Sequence, residues 1–460
     1  MRKLFLLSAI LIAVIISSCS SDDYKTYVPA DSKVVAKIDV ASFFSQMGVD
    51  QEQLFKALGE NYGDDLKDIK SLGIDFATPM YFFARPDGQS IEFGAVVKVQ
   101  DRAQLEKTFE SKTGLKLSKG QGYSYAVDNG VSAAVNDEAM VFQLKVDQGS
   151  GKIDKSSIDR VMNKKIEGDL AGNNVFAKVD DNDSFASFCA DLSIIPESMI
   201  PQGNDVSQKD IKQLRSMVIN IDASARDGVC DFLYSATSTD KDMQAKIDKY
   251  NDSMGFISEK ALGSFSSSDL FGFATNINGE AVKDVLTELI GRGSSLIPLA
   301  NNSEDINQIY ALVNKLSDII SNIKGNVVCS AHSISDYMFL AEGKNITDDV
   351  VGIMKDAGVS PTTLMKTENG YSMGGSIMFG YQDNYFYVTT NQANIVQPTK
   401  AMGDPAPEAL MSLMKDRKFV AFGNVKAIMQ FANQAGGDSS DLKVFAEIFN
   451  KINYITYSYK

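Results

Sequence analysis

Short apolar runs alternate along the chain with amphipathic segments, and the same succession returns four times. Apolar runs at Val34–Val40, Val175–Val179, Leu270–Thr275 and Phe419–Val425 predict strands. Helix-period segments follow each of them at Ala41–Met47, Ser184–Leu192, Glu280–Ile290 and Lys426–Gln434. In the first unit, Met80–Ala84 and Ile91–Val99 flank Arg85-Pro86-Asp87-Gly88, which reads as a hairpin, and a helix is expected at Asp101–Ser111. The second unit repeats this 140 residues later: Met217–Ala225, a turn at Arg226-Asp227-Gly228, Val229–Thr237, then a helix at Lys241–Asn251. In the third, Val327–Ala331 and Tyr337–Glu342 form the hairpin and Thr347–Ala357 the helix. Gly122-Tyr123-Ser124 also returns as Gly370-Tyr371-Ser372, ahead of hairpins turning at Asn136-Asp137-Glu138 and Gln382-Asp383-Asn384. The fourth unit supplies one hairpin strand, Ile452–Tyr459, without a partner strand or helix after it. Such a strand is expected to present an open edge, to the first half of the protein or to another chain.

This succession predicts an α+β fold, built of tandem duplicated strand-helix-hairpin-helix units (A, B, A′ and an incomplete B′) that form antiparallel sheets covered on one face by helices. The halves span 28–265 and 266–460, with the boundary at the Ser-rich stretch Ser264-Phe265-Ser266-Ser267-Ser268. Leu299–Ile323 adds a long helix with Ile306, Ile309, Tyr310, Val313, Leu316 and Ile320 on one face.

The N-terminus departs from this pattern. Arg2 and Lys3 precede an apolar run of 13 residues, Leu4–Ile16, too short to span a bilayer comfortably. Residues 1–18 therefore read as an export signal. Its last three residues and the one after them, Ile16-Ser17-Ser18-Cys19, resemble the lipobox of bacterial lipoproteins, which implies cleavage before Cys19 and lipidation of its thiol. Several acyl chains anchor a protein stably where one does not. Residues 19–27 form the tether, and its Ser20-Ser21-Asp22-Asp23 resembles the surface-export signal of Bacteroidota lipoproteins. The implied location is the outer membrane, lipid-anchored and facing outward, with a periplasm-facing orientation as the alternative. No other run of 18 apolar residues exists.

Charge narrows the partners. The net charge of −14 becomes −16 once Arg2 and Lys3 leave with the signal. An acidic surface repels nucleic acid and anionic headgroups, so membrane contact is expected through the N-terminal lipid alone. Besides Cys19 there are three cysteines, Cys189, Cys230 and Cys329, none in a C-x-x-C pair. An odd number in apolar contexts predicts buried free thiols rather than a disulfide framework or zinc site, with a Cys189–Cys230 bridge as the alternative.

Candidate chemistry is sparse. Gly370-Tyr371-Ser372-Met373-Gly374 fits the G-x-S-x-G nucleophile elbow. That elbow needs a helix after the Ser, and here a strand-like run, Ser376–Tyr381, follows. The only histidine, His332, lies upstream, whereas that fold places its histidine last. His332 reads as a surface loop residue at the position where the first unit has Arg85. Asp180-Asp181-Asn182-Asp183 suggests calcium by composition but lacks EF-hand spacing, and Asp183 is expected to cap a helix from Ser184. Asp252-Ser253-Met254 resembles the O-glycosylation triplet of Bacteroidota. No Walker A loop or G-x-G-x-x-G is present, and no cofactor, metal or catalytic residue is predicted. The chain has 17 Tyr and 26 Phe but no Trp, which lowers the expectation of Trp-platform glycan binding.

The lipobox, the acidic tether, the opening Tyr27-Val28-Pro29-Ala30-Asp31-Ser32 and the repeated layout together resemble a Bacteroidota lipoprotein family of unknown function. The resemblance implies location and fold, and no catalytic residues. The functional expectation is a non-enzymatic binding scaffold of the cell envelope with a protein or glycan partner, its ligand site in the cleft between the halves. A cell-surface hydrolase and an assembly factor acting through the open fourth-unit strand are the alternatives.

Overall fold

The computed structural model describes residues 22–48, 50, 72–88, 90–128, 130–146, 155–164, 170–200, 207–284, 317–333, 335–356, 358–434 and 451–460. The expected export signal, Cys19 and most of the helix expected at Leu299–Ile323 lie outside these residues.

The strands come in two runs. The first holds β1 (Val34–Ile38), β2 (Met80–Asp87), β3 (Ser90–Lys98), β4 (Ser118–Lys119), β5 (Ser124–Asp128), β6 (Val131–Val135), β7 (Ala139–Val146), β8 (Ala186–Asp191), β9 (Met217–Arg226) and β10 (Val229–Ser238). The second holds β11 (Met254–Gly255), β12 (Phe271–Asn278), β13 (Ile323–Ala331), β14 (Tyr337–Gly343), β15 (Leu364–Thr367), β16 (Gly370–Met373), β17 (Ile377–Gln382), β18 (Tyr385–Thr389), β19 (Phe419–Asn424) and β20 (Tyr454–Tyr459). All belong to one sheet of 20 strands.

Across the first run the spatial order is β4-β5-β6-β7-β3-β2-β1-β8-β9-β10. Inward from the far edge of the second it is β15-β16-β17-β18-β14-β13-β12-β19-β20, with β11 beside the end of β12. The order of connections is the same in both, up to β9 and β20. All these pairs are antiparallel. The runs meet where β20 lies parallel to β10, from Val229↔Tyr454 to Tyr234↔Tyr459. The strand expected to present an open edge is therefore paired on both sides, by β19 and β10. The place a hairpin partner of β20 would take is held by β10, which also completes the hairpin of β9.

The hairpins form where Asp-Gly and Asp-Asn pairs tolerate left-handed backbone. Asp227 and Gly228 have φ of 50° and 81°, and Asp383 and Asn384 of 53° and 74°. Positive φ at both central residues is the turn that matches strand twist. Helices begin at side-chain caps. In α1 (Val40–Met47) Asp39 accepts from the Ser42 N–H, and in α2 (Arg102–Thr113) Asp101 accepts from Gln104 N–H. Both end on a left-handed Gly, Gly48 and Gly114.

Two expectations fail together. Val175–Val179 is not a strand but part of α4 (Asn174–Asp180), which follows α3 (Lys155–Met162). The expected helix at Ser184–Leu192 is instead mostly β8. A five-residue apolar run fits either period. Asn173 decides it, because its side chain accepts from the Val175 and Phe176 N–H groups and buries Val175, Phe176 and Val179 on one helical face. Asp183 caps no helix; Asn182 accepts from the Ser184 N–H at 3.0 Å.

Helices also cover both faces of the sheet rather than one. On one face, α3 and α4 pack on Val35, Tyr81, Val96 and Val141. Further along that face, α7 (Glu259–Leu262) and α9 (Glu408–Lys415) pack on Ala274, Leu340 and Val420. These follow α5 (Gln208–Arg215) and α6 (Lys241–Asp252), while α8 (Ile346–Asp356) precedes α9 and α10 (Val425–Gln434) comes last. On the opposite face α1 and α2 cover Met80, Val97 and Met140, and α8 covers Val327, Ala341 and Phe386. The Ser-rich stretch is interior: Phe265 is fully buried, and Ser264 and Ser266 nearly so.

Candidate binding site at the junction of the two strand runs

The β10–β20 pair carries a buried charge pair. Asp231 is 2% exposed, and its Oδ2 accepts from Arg417 Nη2 at 2.9 Å. Its Oδ1 accepts from Thr456 Oγ1 at 2.6 Å, and Arg417 Nε donates to Ser458 Oγ at 3.0 Å. A carboxylate of the first run is thus satisfied by donors of the second.

On the other face of the same strands lies a cavity of about 680 Å³, within the roughly 300–1,000 Å³ usual for small-molecule sites. Tyr234 and Ala236 of β10, Tyr457 and Tyr459 of β20 and Phe419 of β19 form its floor. The Tyr234 ring centroid lies 6.1 Å from those of both Tyr457 and Tyr459. Leu214 of α5 and Met243 and Ile247 of α6 make the walls, with Met217 and Met254 at the ends of neighbouring strands. Ala281 and Asp284, in the helical residues 279–284, close the far side. Burial pushes the Tyr234, Tyr457 and Tyr459 hydroxyls up from their ordinary value, so the floor is uncharged at neutral pH.

The polar groups of the lining are few. Both of its carboxylates are engaged: Asp210 accepts from Ser207 in the capping box of α5, and Asp284 lies 3.6 Å from Lys249 Nζ. Gln213 is 5% exposed, and its Nε2 has no acceptor in hydrogen-bonding geometry. The nearby Asp240 carboxyl, which caps α6, sits below its ordinary value first because the Met243 N–H donates to it, with the Gln213 amide a minor contributor. Ser253 also lines the cavity, and its Oγ donates to the Tyr250 carbonyl at 2.6 Å.

The other residues singled out by sequence lie apart. Ser372 is in β16, paired with Met365 and Met378, and two left-handed glycines, Gly374 and Gly375, lead directly into β17. The helix a nucleophile elbow requires is replaced by that strand. His332 is not a free surface residue. Its Nδ1 pairs with the fully buried Asp269, and only 21% of its side chain is exposed. This contact raises the imidazole above its ordinary value. At Asp180-Asp181-Asn182-Asp183 the positive charge comes from the protein: Lys37 Nζ donates to the Asn182 carbonyl at 2.6 Å and Lys25 pairs with Asp180 at 3.1 Å. Among the described residues no group of three or more His, Cys, Asp or Glu is placed to hold a metal. Cys189 and Cys230 are free and buried on opposite faces of the sheet, opposite Asn220 and Ala225 of β9, so the alternative bridge is ruled out.

Sequence reasoning missed Arg417, Asp231, Asp269 and Gln213, because nothing local distinguishes a buried polar residue in a strand, helix or connection from a solvated one. The hairpin at Asp227-Gly228 was the one signal near the site.

Residues 24–456 match a family described as "Domain of unknown function (DUF4836)". Comparison with curated protein sequences finds no match. Among solved structures, crystal form I of TP0453 aligns with a TM-score of 0.27 at 13% identity, over 51% of this chain and 86% of that one. Crystal form III gives 0.29 at 14% identity, over 51% and 88%.

Proposed function

We propose that this chain, which belongs to the DUF4836 family of unknown function, is a lipid-anchored protein of the bacterial envelope that acts by binding a ligand in the cavity over β10 and β20. The observation that carries the binding reading is the cavity itself: about 680 Å³, largely aromatic and aliphatic in its lining, at the junction where both strand runs contribute. Its acids are tied up in a helix cap and an ion pair, which suits recognition better than proton transfer. The anchor reading rests on Arg2, Lys3, the Leu4–Ile16 run and Cys19. Among the described residues no helix is long and apolar enough to cross a membrane.

Two measurements test this. Metabolic labelling with an alkyne fatty acid marks the wild-type chain, and Cys19→Ala abolishes the label and releases the protein from membranes. Labelling that survives the substitution overturns the anchor. For the cavity, a small aryl diazirine is photolysed with the full chain in vesicles. Labelled peptides are expected from β10, α6 and β20, and Ala236→Trp, which fills the floor, is expected to suppress them. A labelling pattern unchanged by Ala236→Trp overturns the cavity as the binding site.

A further inference from the structure

The cavity adjoins a second apolar surface on its own face of the sheet, and the two together bear on the ligand, provided that the cavity is a binding site at all. Side chains two residues apart in a strand share a face. Phe232 of β10 and Ile455 of β20 therefore lie on the face of the cavity floor, beside Tyr457. Gly423 of β19 pairs with Ile455 on one side and with Phe271 of β12 on the other. Ile428 of α10 reaches over that glycine, its Cδ1 3.2 Å from where a Cβ would stand. Phe232, Tyr457, Ile455, Ile428 and Phe271 thus form one apolar row, each side chain between 36% and 51% exposed. Tyr457 belongs to both surfaces, for its ring centroid lies 6.1 Å from that of Tyr234 and 6.4 Å from that of Phe419, both in the cavity floor.

Folded proteins rarely expose a contiguous apolar run of this kind unless it binds something. The five side chains carry one polar atom, the Tyr457 hydroxyl. A sugar or a peptide backbone laid along them would leave its polar groups without partners. Strand addition is closed off as well, because β10, β20, β19 and β12 are each paired on both sides. At the cavity end Met217, Met243 and Met254 suit a flexible apolar group. Lys246, Lys249, Asp210 and Asp284 also line the cavity, two charges of each sign, and favour no particular head group. Tyr459 and Phe271 are separated by four residues along β20 and two strands across, about 16 Å on the diagonal. One leaflet of lipid chains is about 15 Å deep, half the hydrocarbon thickness of a bilayer. We propose that cavity and row together take one extended aliphatic chain of lipid length, one end among the cavity methionines and the other against Ile428 and Phe271.

The experiment uses the full chain in phosphatidylcholine vesicles with three photoprobes: octanol bearing a diazirine, and two hexadecanols with the diazirine near the hydroxyl or near the methyl end. Octanol is expected to label α6 peptides of the cavity. The two hexadecanols are expected to label opposite ends, one α6 and the other β12 and α10, in either orientation. Ile455→Asp sets a carboxylate in the middle of the row, where an aliphatic chain would desolvate it, and should reduce β12 and α10 labelling about tenfold. Ile428→Asp, on the exposed side of a helix, should do the same. Octanol labelling of α6 should be unchanged in both variants, which also reports that the cavity is intact. Identical labelling by the two hexadecanols, or row labelling indifferent to both substitutions, overturns the extended chain. Labelling of α6 by octanol with no row labelling by either hexadecanol overturns it too and leaves the binding reading standing. Cavity labelling by none of the three overturns both.

Discussion

The charge pair between the strand runs gives the most direct test of how the sheet is held together. Asp231 sits at 2% exposure and the Arg417 side chain at 15%, so water cannot replace either partner fully. Arg417→Met leaves the Asp231 carboxylate with the Thr456 hydroxyl as its remaining side-chain donor. Removing one member of a buried pair costs about 3–5 kcal/mol, because the other is left charged and unpaired. Asp231→Ala costs less, about 2 kcal/mol, since Arg417 keeps Ser458 Oγ at 3.0 Å and some access to solvent. The double variant removes both charges and should be more stable than the sum of the single effects implies, with a coupling of about 2 kcal/mol. Urea unfolding of wild type, both single variants and the double, followed by far-ultraviolet circular dichroism, gives the four values. The m-value checks that one transition is being compared. Additive effects, or single variants within about 0.5 kcal/mol of wild type, a range typical of surface positions, would refute the claim that this pair is desolvated and shared by both runs.

Three further outcomes follow from buried groups. Because His332 is the only histidine and its folded value is raised by Asp269, its stabilisation is complete below the unfolded value of about 6.5 and disappears as pH rises through the folded value; the urea midpoint should fall between pH 6 and 8.5 in wild type, and an identical slope in His332→Gln rules this out. Glu92 is fully buried and accepts from Arg85, Gln143 and Ser157 at 2.9, 2.6 and 2.9 Å, so Glu92→Ala should destabilise by about 3–5 kcal/mol, and a thermal midpoint within experimental error of wild type contradicts that. Burial pushes the Cys189 and Cys230 thiols up to about 11, so iodoacetamide at pH 8 should modify them only after denaturant is added, and prompt modification of the folded protein would show them exposed.

What the sequence disclosed was local. The Asp227-Gly228 and Asp383-Asn384 turns and the helices at 102–113 and 241–252 are each written within a few residues, and formed where expected. Residues 174–191 went wrong because Val175-Phe176-Ala177-Lys178-Val179 is too short for its period to decide, and the deciding side chain, Asn173, precedes the apolar run. The site was legible only as a location between the halves. Its floor depends on Tyr234 facing Tyr459, a register set by the whole sheet. The partner of His332, Asp269, directly follows the Ser-rich stretch read as a boundary, and packing leaves it fully buried.

The β10–β20 ladder has a kinetic consequence. Asp231 and Thr456 touch across a sequence separation of 225 residues, whereas β9 and β10 are joined by a two-residue turn. Contacts between distant segments form late, because loop-closure entropy must be overcome before they contribute. Each strand run should therefore acquire its hairpins first, and the parallel ladder should lock the two together in the last step. Until then β10 and β19 each present an unpaired edge, so the period of greatest aggregation hazard is the interval before β20 docks. Hydrogen exchange pulsed during refolding should find the β20 amides protected after those of β9 and β14.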